Sequence, residues 1–241
     1  KIHNLEMIRY QDESFNSINE EKLKDLSKDY KKFVNLPFII EATINTTTEN
    51  KIKYLRDMGC VNVGLGVESG SKYIRDKVII KPKFENTEAI EKINLFKRYG
   101  ISVTVYNIMG FPHETEENIK DTIEINYKAK PTHAAVGYFQ PWEGTSLKKT
   151  SIENGFLDEN MEISQMTEGQ QSTTPLKNLE VDKKTLEHYH DYFSYYVYLN
   201  KNLWSIIKFC SKKNFLSKII KKILTLILIR KQNFYRKNPT N

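Results

Sequence analysis

The sequence predicts an α/β fold built on a parallel sheet, and three observations carry the prediction. Short apolar runs alternate with helix-like segments from residue 5 to residue 139. The predicted helices stop at Gly59, Gly100 or a short connection leading straight into the next apolar run. The runs are rich in β-branched residues, as in PFIIEATI and ISVTVYNIM. Strands alternating with helices of roughly 10–15 residues argue for βαβ units. A barrel and an open doubly wound sheet both fit, and in both the ligand sits at the C-terminal ends of the strands.

Leu5–Tyr10 is a short apolar run closed by Asp12. Over Asn19–Phe33, the residues Leu23, Leu26, Tyr30 and Phe33 share one helical face, with Asn19 as N-cap. Pro37–Ile44 reads as a buried strand. Thr48–Met58 is a helix with Ile52 and Leu55 inward, ended by Gly59. Val61–Val67 is a strand holding Gly64 and Gly66, and glycine inside a strand marks the close approach of a backbone or a ligand. Asn86–Tyr99 is a helix stopped by Gly100, and Ile101–Met109 is a strand. Thr115–Lys128 is a helix capped by Thr115, with Glu116 and Glu117 at the positive end of its dipole. His133–Phe139 is a further short strand. The residues just after the strands are the candidates for function: Asp12 and Glu13; Asn45; Glu68, Ser69 and Gly70; Gly110, Phe111, Pro112 and His113; Pro141, Glu143 and Gly144. After Gly144 the pattern weakens. Glu159–Leu179 is polar and reads as a loop or lid. Leu186–Leu203 reads as an aromatic-rich helix, and Trp204–Ile229 alternates lysines with apolar residues.

The chain has 241 residues, 39% hydrophobic and 12% aromatic, which is enough apolar matter for a sizeable core. Its two cysteines, Cys60 and Cys210, exclude a disulfide-stapled fold and any site of three or four thiolates within this sequence. No run of about 20 apolar residues occurs. The net charge of +7 belongs to the tail. Residues 201–241 hold 11 Lys and Arg and no Asp or Glu, which leaves 26 basic against 30 acidic residues in 1–200. That balance argues against a domain-wide nucleic-acid surface and leaves the tail suited to an anionic partner. No phosphate-binding glycine loop of the common types occurs. His188 and His190 point about 200° apart on a helix and share no metal.

The strongest local signal is GLGVESGS at 64–71, where a strand ends in Glu68 and enters a Ser-Gly-Ser turn. Such a turn aims N–H groups and hydroxyls at a ligand, and the carboxylate accepts hydrogen bonds from ribose hydroxyls or an amino group. An ordinary strand-to-helix turn with Ser69 or Ser71 as N-cap explains the same residues. The second signal is IMGFPHET at 108–115. Gly110 permits unusual φ, Pro112 stiffens the exit and Thr115 caps the next helix. Exposed backbone at Met109–Phe111 would hydrogen-bond the edge of a planar base, although a tight βα loop accounts for each residue singly. The third signal, PWEGT at 141–145, is a turn after a strand.

In order and in position after successive strands, these motifs resemble the radical S-adenosylmethionine (SAM) superfamily. The nearest likeness is to the branch whose members often carry an N-terminal cobalamin-binding domain. The matching text is GVESGS at 66–71, Lys81 in VIIKP, KRYGISV at 97–103, GFPHET at 110–115, PTHAAVGYFQP at 131–141 and EGT at 143–145, and IRYQDESF at 8–15 resembles the family's preceding strand. The resemblance implies a partial (β/α) barrel, of which this sequence holds the later βα units, followed by a C-terminal helical region. Residues 1–145 would form the barrel part, 146–180 a polar loop or lid, and 181–241 the helices with the basic tail.

The resemblance also implies SAM and a [4Fe-4S] cluster as cofactors, with cobalamin left open. In the family, three thiolates of a CxxxCxxC loop hold the cluster, and reductive cleavage of SAM starts radical chemistry on a substrate. By the same resemblance, Thr43, Asn45, Glu68, Ser69, Asn107, Met109, Gly110 and Phe111 would bind the cofactor. Glu68 would contact the polar part of SAM, Asn107 to Gly110 would present backbone to the adenine, and Thr43 and Asn45 would face the same mouth. Ile44 stands where the family often has Arg. The missing CxxxCxxC predicts that the cluster loop, the first βα units and any cobalamin domain lie upstream of Lys1 in the same polypeptide.

The motifs leave the substrate open between a small molecule and a lipid-like one. In the tail, Leu203, Ile206, Ile207, Cys210, Leu216, Ile219, Ile220, Ile223 and Ile227 follow helical spacing, with Lys208, Lys212, Lys218, Lys221 and Lys222 among them. Such a helix packs its apolar stripe on the barrel or on a second subunit, or lies on an anionic membrane surface. The expected location is cytoplasmic, with peripheral contact to the inner face of the membrane through 201–230 as a second reading. A non-catalytic interaction module built on this tail is the class that competes with the enzyme.

Overall fold

The computed structural model describes residues 5–80, 83–161, 173–210, 212 and 214–237. Lys81 and part of the predicted lid lie outside the described residues. Five strands form one sheet: β1 (Ile8–Arg9), β2 (Phe38–Ala42), β3 (Cys60–Glu68), β4 (Ser102–Met109) and β5 (His133–Tyr138). They pair in chain order, and every neighbouring pair is parallel. A doubly wound sheet reverses its strand order at a switch point, whereas this order is that of a barrel wall. The crossovers are α1 (Glu20–Phe33), α2 (Glu49–Met58), α3 (Asn86–Arg98) and α4 (Glu116–Ala129).

Alternation along the strands divides the sheet into two unlike faces. Phe38, Ile40, Val63, Leu65, Val67, Val103 and Val105 are buried in one cluster with Leu23, Ile52, Leu55, Ile93 and Phe96 of the helices. The other face carries Glu41, Asn62, Gly64, Gly66, Glu68, Thr104 and Tyr106, most of them partly open to solvent. Local chemistry sets the helix ends. The side chains of Asn19, Thr48 and Thr115 accept from the backbone N–H groups of Glu21, Lys51 and Asn118, and Thr115 with Asn118 completes a capping box. Gly59 closes α2 at φ 107°, a conformation that suits glycine.

The part of the chain after Gly144 departs from the periodicity in three places. α5 (Ser146–Glu153), capped by Thr145, occupies the start of the stretch expected to be a loop. The aromatic helix expected over Leu186–Leu203 is divided into α6 (Lys183–Asp191), α7 (Phe193–Tyr198) and a 3-10 turn at Lys201–Leu203. Aromatic residues lose side-chain freedom in a helix and support it weakly. The break at Tyr192 lets Tyr189 donate to Glu116 while Tyr198 donates to the Pro131 carbonyl. The tail helix is likewise two, α8 (Trp204–Phe209) and α9 (Phe215–Lys237), and Asn214 accepts from the Ser217 N–H at the start of the second. The aromatics of α6 and α7 are core: Tyr189, Tyr192, Phe193, Tyr196 and Tyr198 form a second buried cluster with Leu224 and Leu228 of α9.

Thr115→Ala removes one half of the capping box and is expected to lower the stability by about 1 kcal/mol. Urea denaturation measures this as a lower midpoint at unchanged slope.

Candidate functional site

The geometry of the open face is set at the C-terminal half of β3. The β3–β4 register shifts between Gly66 and Glu68. Glu68 itself takes φ 64°, a left-handed conformation that costs a non-glycine residue on the order of 1 kcal/mol or more. The irregularity brings its carboxylate back over the strand: a Cβ at Gly66 would lie 2.9 Å from Glu68 Oε1. A Cβ at Gly64 would lie 1.8 Å from Glu41 Oε2 and 2.7 Å from Tyr106 Cε2. The two glycines therefore leave room for side chains that lie across β3 from its neighbours. Glu41 accepts from Arg9 at 3.2 Å and from the Tyr106 hydroxyl at 3.4 Å. Burial and the Glu41 charge raise the Tyr106 phenol above its usual range, so it stays a neutral donor.

Two cavities meet at Glu68. One, of about 690 Å³, is lined by Glu13, Ser14, Glu41, Thr43, Asn45, Gly64, Gly66, Glu68 and Tyr106. The other, of about 380 Å³, is lined by Ile79, Ile108, Phe111, Phe139 and Trp142 together with Glu68. The first offers carboxylates and hydroxyls, and the second offers aliphatic and aromatic walls.

The structure brings Thr43, Asn45 and Glu68 onto the first cavity and Phe111 onto the second. It turns the side chains of Ser69, Asn107 and Met109 elsewhere. Ser69 meets Thr122 of α4 and accepts from the Ser71 N–H. Asn107 pairs with Asn126 of α4, because odd-numbered residues of β4 face the helices. Met109 is buried with α4 and the aromatic helices. The exposed backbone expected at Met109–Phe111 is engaged: the Gly110 and Phe111 N–H groups donate to Glu114 at 2.5 and 3.4 Å, and the Met109 carbonyl accepts from Phe139. The Ser-Gly-Ser turn is likewise a packing device. A Cβ at Gly70 would lie 2.2 Å from the Asp121 carbonyl oxygen, and Ser71 Oγ accepts from the Ile74 N–H. Glu13 lines the first cavity and Asp12 does not. His113 is tied to Glu180 at 2.9 Å, as a loop residue. Pro141, Glu143 and Gly144 line neither cavity, Glu143 pairing with Lys148.

Four residues outside the predicted set shape this site. Glu41 and Tyr106 were legible as the polar members of otherwise apolar strands, since period two puts them opposite the buried face. Arg75, almost fully buried, donates to the carbonyls of Ser69 and Phe84 and stacks on the Phe84 ring at 4.5 Å, so it holds the Glu68 turn from behind. Glu114 is fully buried. Burial outweighs the two N–H donors and pushes its carboxyl up to about 8.

A carboxyl whose folded pKa exceeds its ordinary value of 4.5 keeps its proton longer in the native state. Its contribution to stability is complete below the ordinary value and is lost as pH rises through about 8. Stability should therefore fall across that window at up to roughly 1.4 kcal/mol per pH unit. Glu114→Gln, which keeps an acceptor for the loop N–H groups without a titrating proton, is expected to flatten this fall in urea denaturation series at successive pH values.

Residues 12–125 match the model of the Radical SAM superfamily. An uncharacterized methyltransferase of Pyrococcus horikoshii is 26% identical over 156 residues, which are 64% of this chain and 33% of that protein. Solved structures that share the fold include two named for S-adenosylmethionine enzymes. The cobalamin-dependent S-adenosylmethionine radical enzyme OxsB has a TM-score of 0.56 at 13% identity, over 94% of this chain and 39% of its own. The radical S-adenosylmethionine methyltransferase TsrM of Kitasatospora setae, with cobalamin and [4Fe-4S] cluster bound, has a TM-score of 0.54 at 16% identity, over 62% of this chain and 29% of its own. The chain thus spans about a third of the length of the curated relatives it matches.

Proposed function

We propose that this chain, whose residues 12–125 belong to the radical SAM superfamily, forms the later βα units of a radical SAM enzyme and holds SAM around Glu68. The observation that carries the reading is the meeting of a polar and an apolar cavity at one carboxylate. SAM has the same division, with an ammonium group and vicinal ribose hydroxyls beside a planar purine. Glu68 and Glu41 are acceptors suited to the ammonium and the hydroxyls, with the Thr43 and Tyr106 hydroxyls beside them. Ile108, Phe111 and Phe139 supply apolar walls of the kind a purine prefers. Gly64 and Gly66 make room for the Glu41 and Glu68 carboxylates that would face the polar part of this group.

The cluster does not fit in the same way. Cys60 is buried at the first residue of β3, at the other end of the strand from Glu68, and burial pushes its thiol up to about 12. Cys210 is buried among the C-terminal helices. Among the described residues, no group of three His, Cys, Asp or Glu is placed to hold a metal ion. The reading therefore takes the cluster ligands from a segment outside this sequence, and it adds cobalamin on the likeness to OxsB and TsrM alone. SAM, with its cluster, supplies the radical chemistry. The residues of this chain position SAM, and its substrate, small or lipid-like, would enter through the open sheet face.

Glu68→Ala in the full-length enzyme, reconstituted anaerobically, is expected to weaken SAM binding by about 10- to 100-fold, the loss of one charge-assisted hydrogen bond. Iron and sulfide content should stay unchanged. Undiminished SAM affinity would remove Glu68 from the site, and an upstream reading frame without CxxxCxxC would end the enzymatic reading.

A further inference from the structure

The C-terminal helices carry a surface that the sheet and its ligand do not use. α9 packs a narrow stripe against its neighbours, with Ser217, Leu224 and Leu228 buried. At about 100° per residue, the opposite face gathers Phe215, Ile219, Ile223 and Leu226. Phe215 is 80% exposed and Leu226 64%. An apolar cleft of about 500 Å³ between α8 and α9, lined by Leu203, Ile206, Phe209, Ile220, Ile223 and Ile227, adjoins this face. A contiguous apolar surface of this kind marks a contact with something.

Charge identifies the partner. On the helical wheel, exposed Lys218 and Lys222 border the apolar face on one side, with Arg230 inside it. Residues 201–241 contain no Asp or Glu. A second copy seated face to face would set these cations against the same cations. An anionic bilayer offers both complements at once, acyl chains for Phe, Ile and Leu and phosphates for lysines whose stems snorkel outward. Among the described residues no helix is long and apolar enough to cross a membrane, so the helix would lie in the interface rather than span it.

We propose that α8 and α9 form an interfacial anchor that seats the protein on an anionic bilayer, with Phe215, Ile219, Ile223 and Leu226 in the acyl boundary. The start of α9 shares a cavity with Glu116, which opens α4 just after β4, so the anchor begins at the end of the sheet where the candidate site lies. This anchor stands independently of the SAM reading.

The test is made on full-length protein with vesicles of phosphatidylcholine alone and of phosphatidylcholine with phosphatidylglycerol. Co-sedimentation is expected with the anionic vesicles only and is reversed by high salt. K218Q/K222Q/R230Q, at exposed positions, should weaken it by about 100-fold, the product of three surface charges. Phe215→Ser with Ile223→Ser should also abolish it without changing the melting temperature. A thiol at Leu226→Cys, its labelling read on the peptide that carries position 226 because Cys60 and Cys210 are buried and other cysteines of the full-length protein are thereby set aside, should react with a maleimide in solution and be protected by anionic vesicles. Absence of binding in low salt, or equal binding to both vesicle types, overturns the proposal. A Leu226→Cys thiol already protected without vesicles also overturns it, by assigning the face to a second copy or to another segment of the same polypeptide.

Discussion

A parallel sheet is ordinarily covered on both faces, because its crossover helices lie against it. Here one face is closed by α1 to α4 and the other is lined by Glu41, Asn62, Gly64, Gly66, Glu68, Thr104 and Tyr106. The polar groups of that face are satisfied partly by each other, in the Arg9–Glu41–Tyr106 set and in the Asn62–Thr104 pair. The two glycines of β3 are what allow that arrangement. Any larger residue at Gly64 would push the Glu41 carboxylate aside, and a side chain at Gly66 would meet Glu68. The room for the Glu41 carboxylate and for the Glu68 carboxylate over β3 depends on these missing side chains.

The motif residues that do not reach the cavities hold those that do. Glu68 adopts a conformation a carboxylate residue seldom takes, so the surrounding structure must impose it. Gly70 is pressed against the main chain of α4, Ser69 and the Gly70 N–H meet Thr122, and Arg75 grips the Ser69 carbonyl. One turn further, Glu114 gathers the N–H groups of Gly110 and Phe111, which fixes the loop that carries the Phe111 ring to the second cavity. A binding group held this way loses little freedom when a ligand arrives.

Much of the fold was legible because its signals are local. The side chains of Asn19, Thr48 and Thr115 act as caps and Gly59 as a terminator, as their types alone suggest. The strand runs were found within a residue or two at most ends. The roles within GVESGS and IMGFPHET were legible only in part. Glu68 lines both cavities, whereas Ser69, Asn107 and Met109 face α4, an outcome decided by the register shift after Gly66 and by the phase of β4. Glu114 gives no sign of burial in the sequence, since a carboxylate in a loop reads as solvated until the loop folds over it. The division of the aromatic helix at Tyr192 depends on hydrogen bonds to Glu116 and Pro131, more than 60 residues away in the chain.

The claim on which the rest depends is that the space over β3 belongs to SAM. The φ of Gly66 lies outside the left-handed region, so Gly66→Val is compatible with the backbone, and its side chain both displaces the Glu68 carboxylate and takes up space beside it. Equilibrium binding of SAM to the full-length, cluster-loaded protein tests the claim most directly. Gly66→Val is expected to lower SAM affinity at least about tenfold, with the melting temperature and iron content kept. An affinity equal to that of the unsubstituted protein would contradict it.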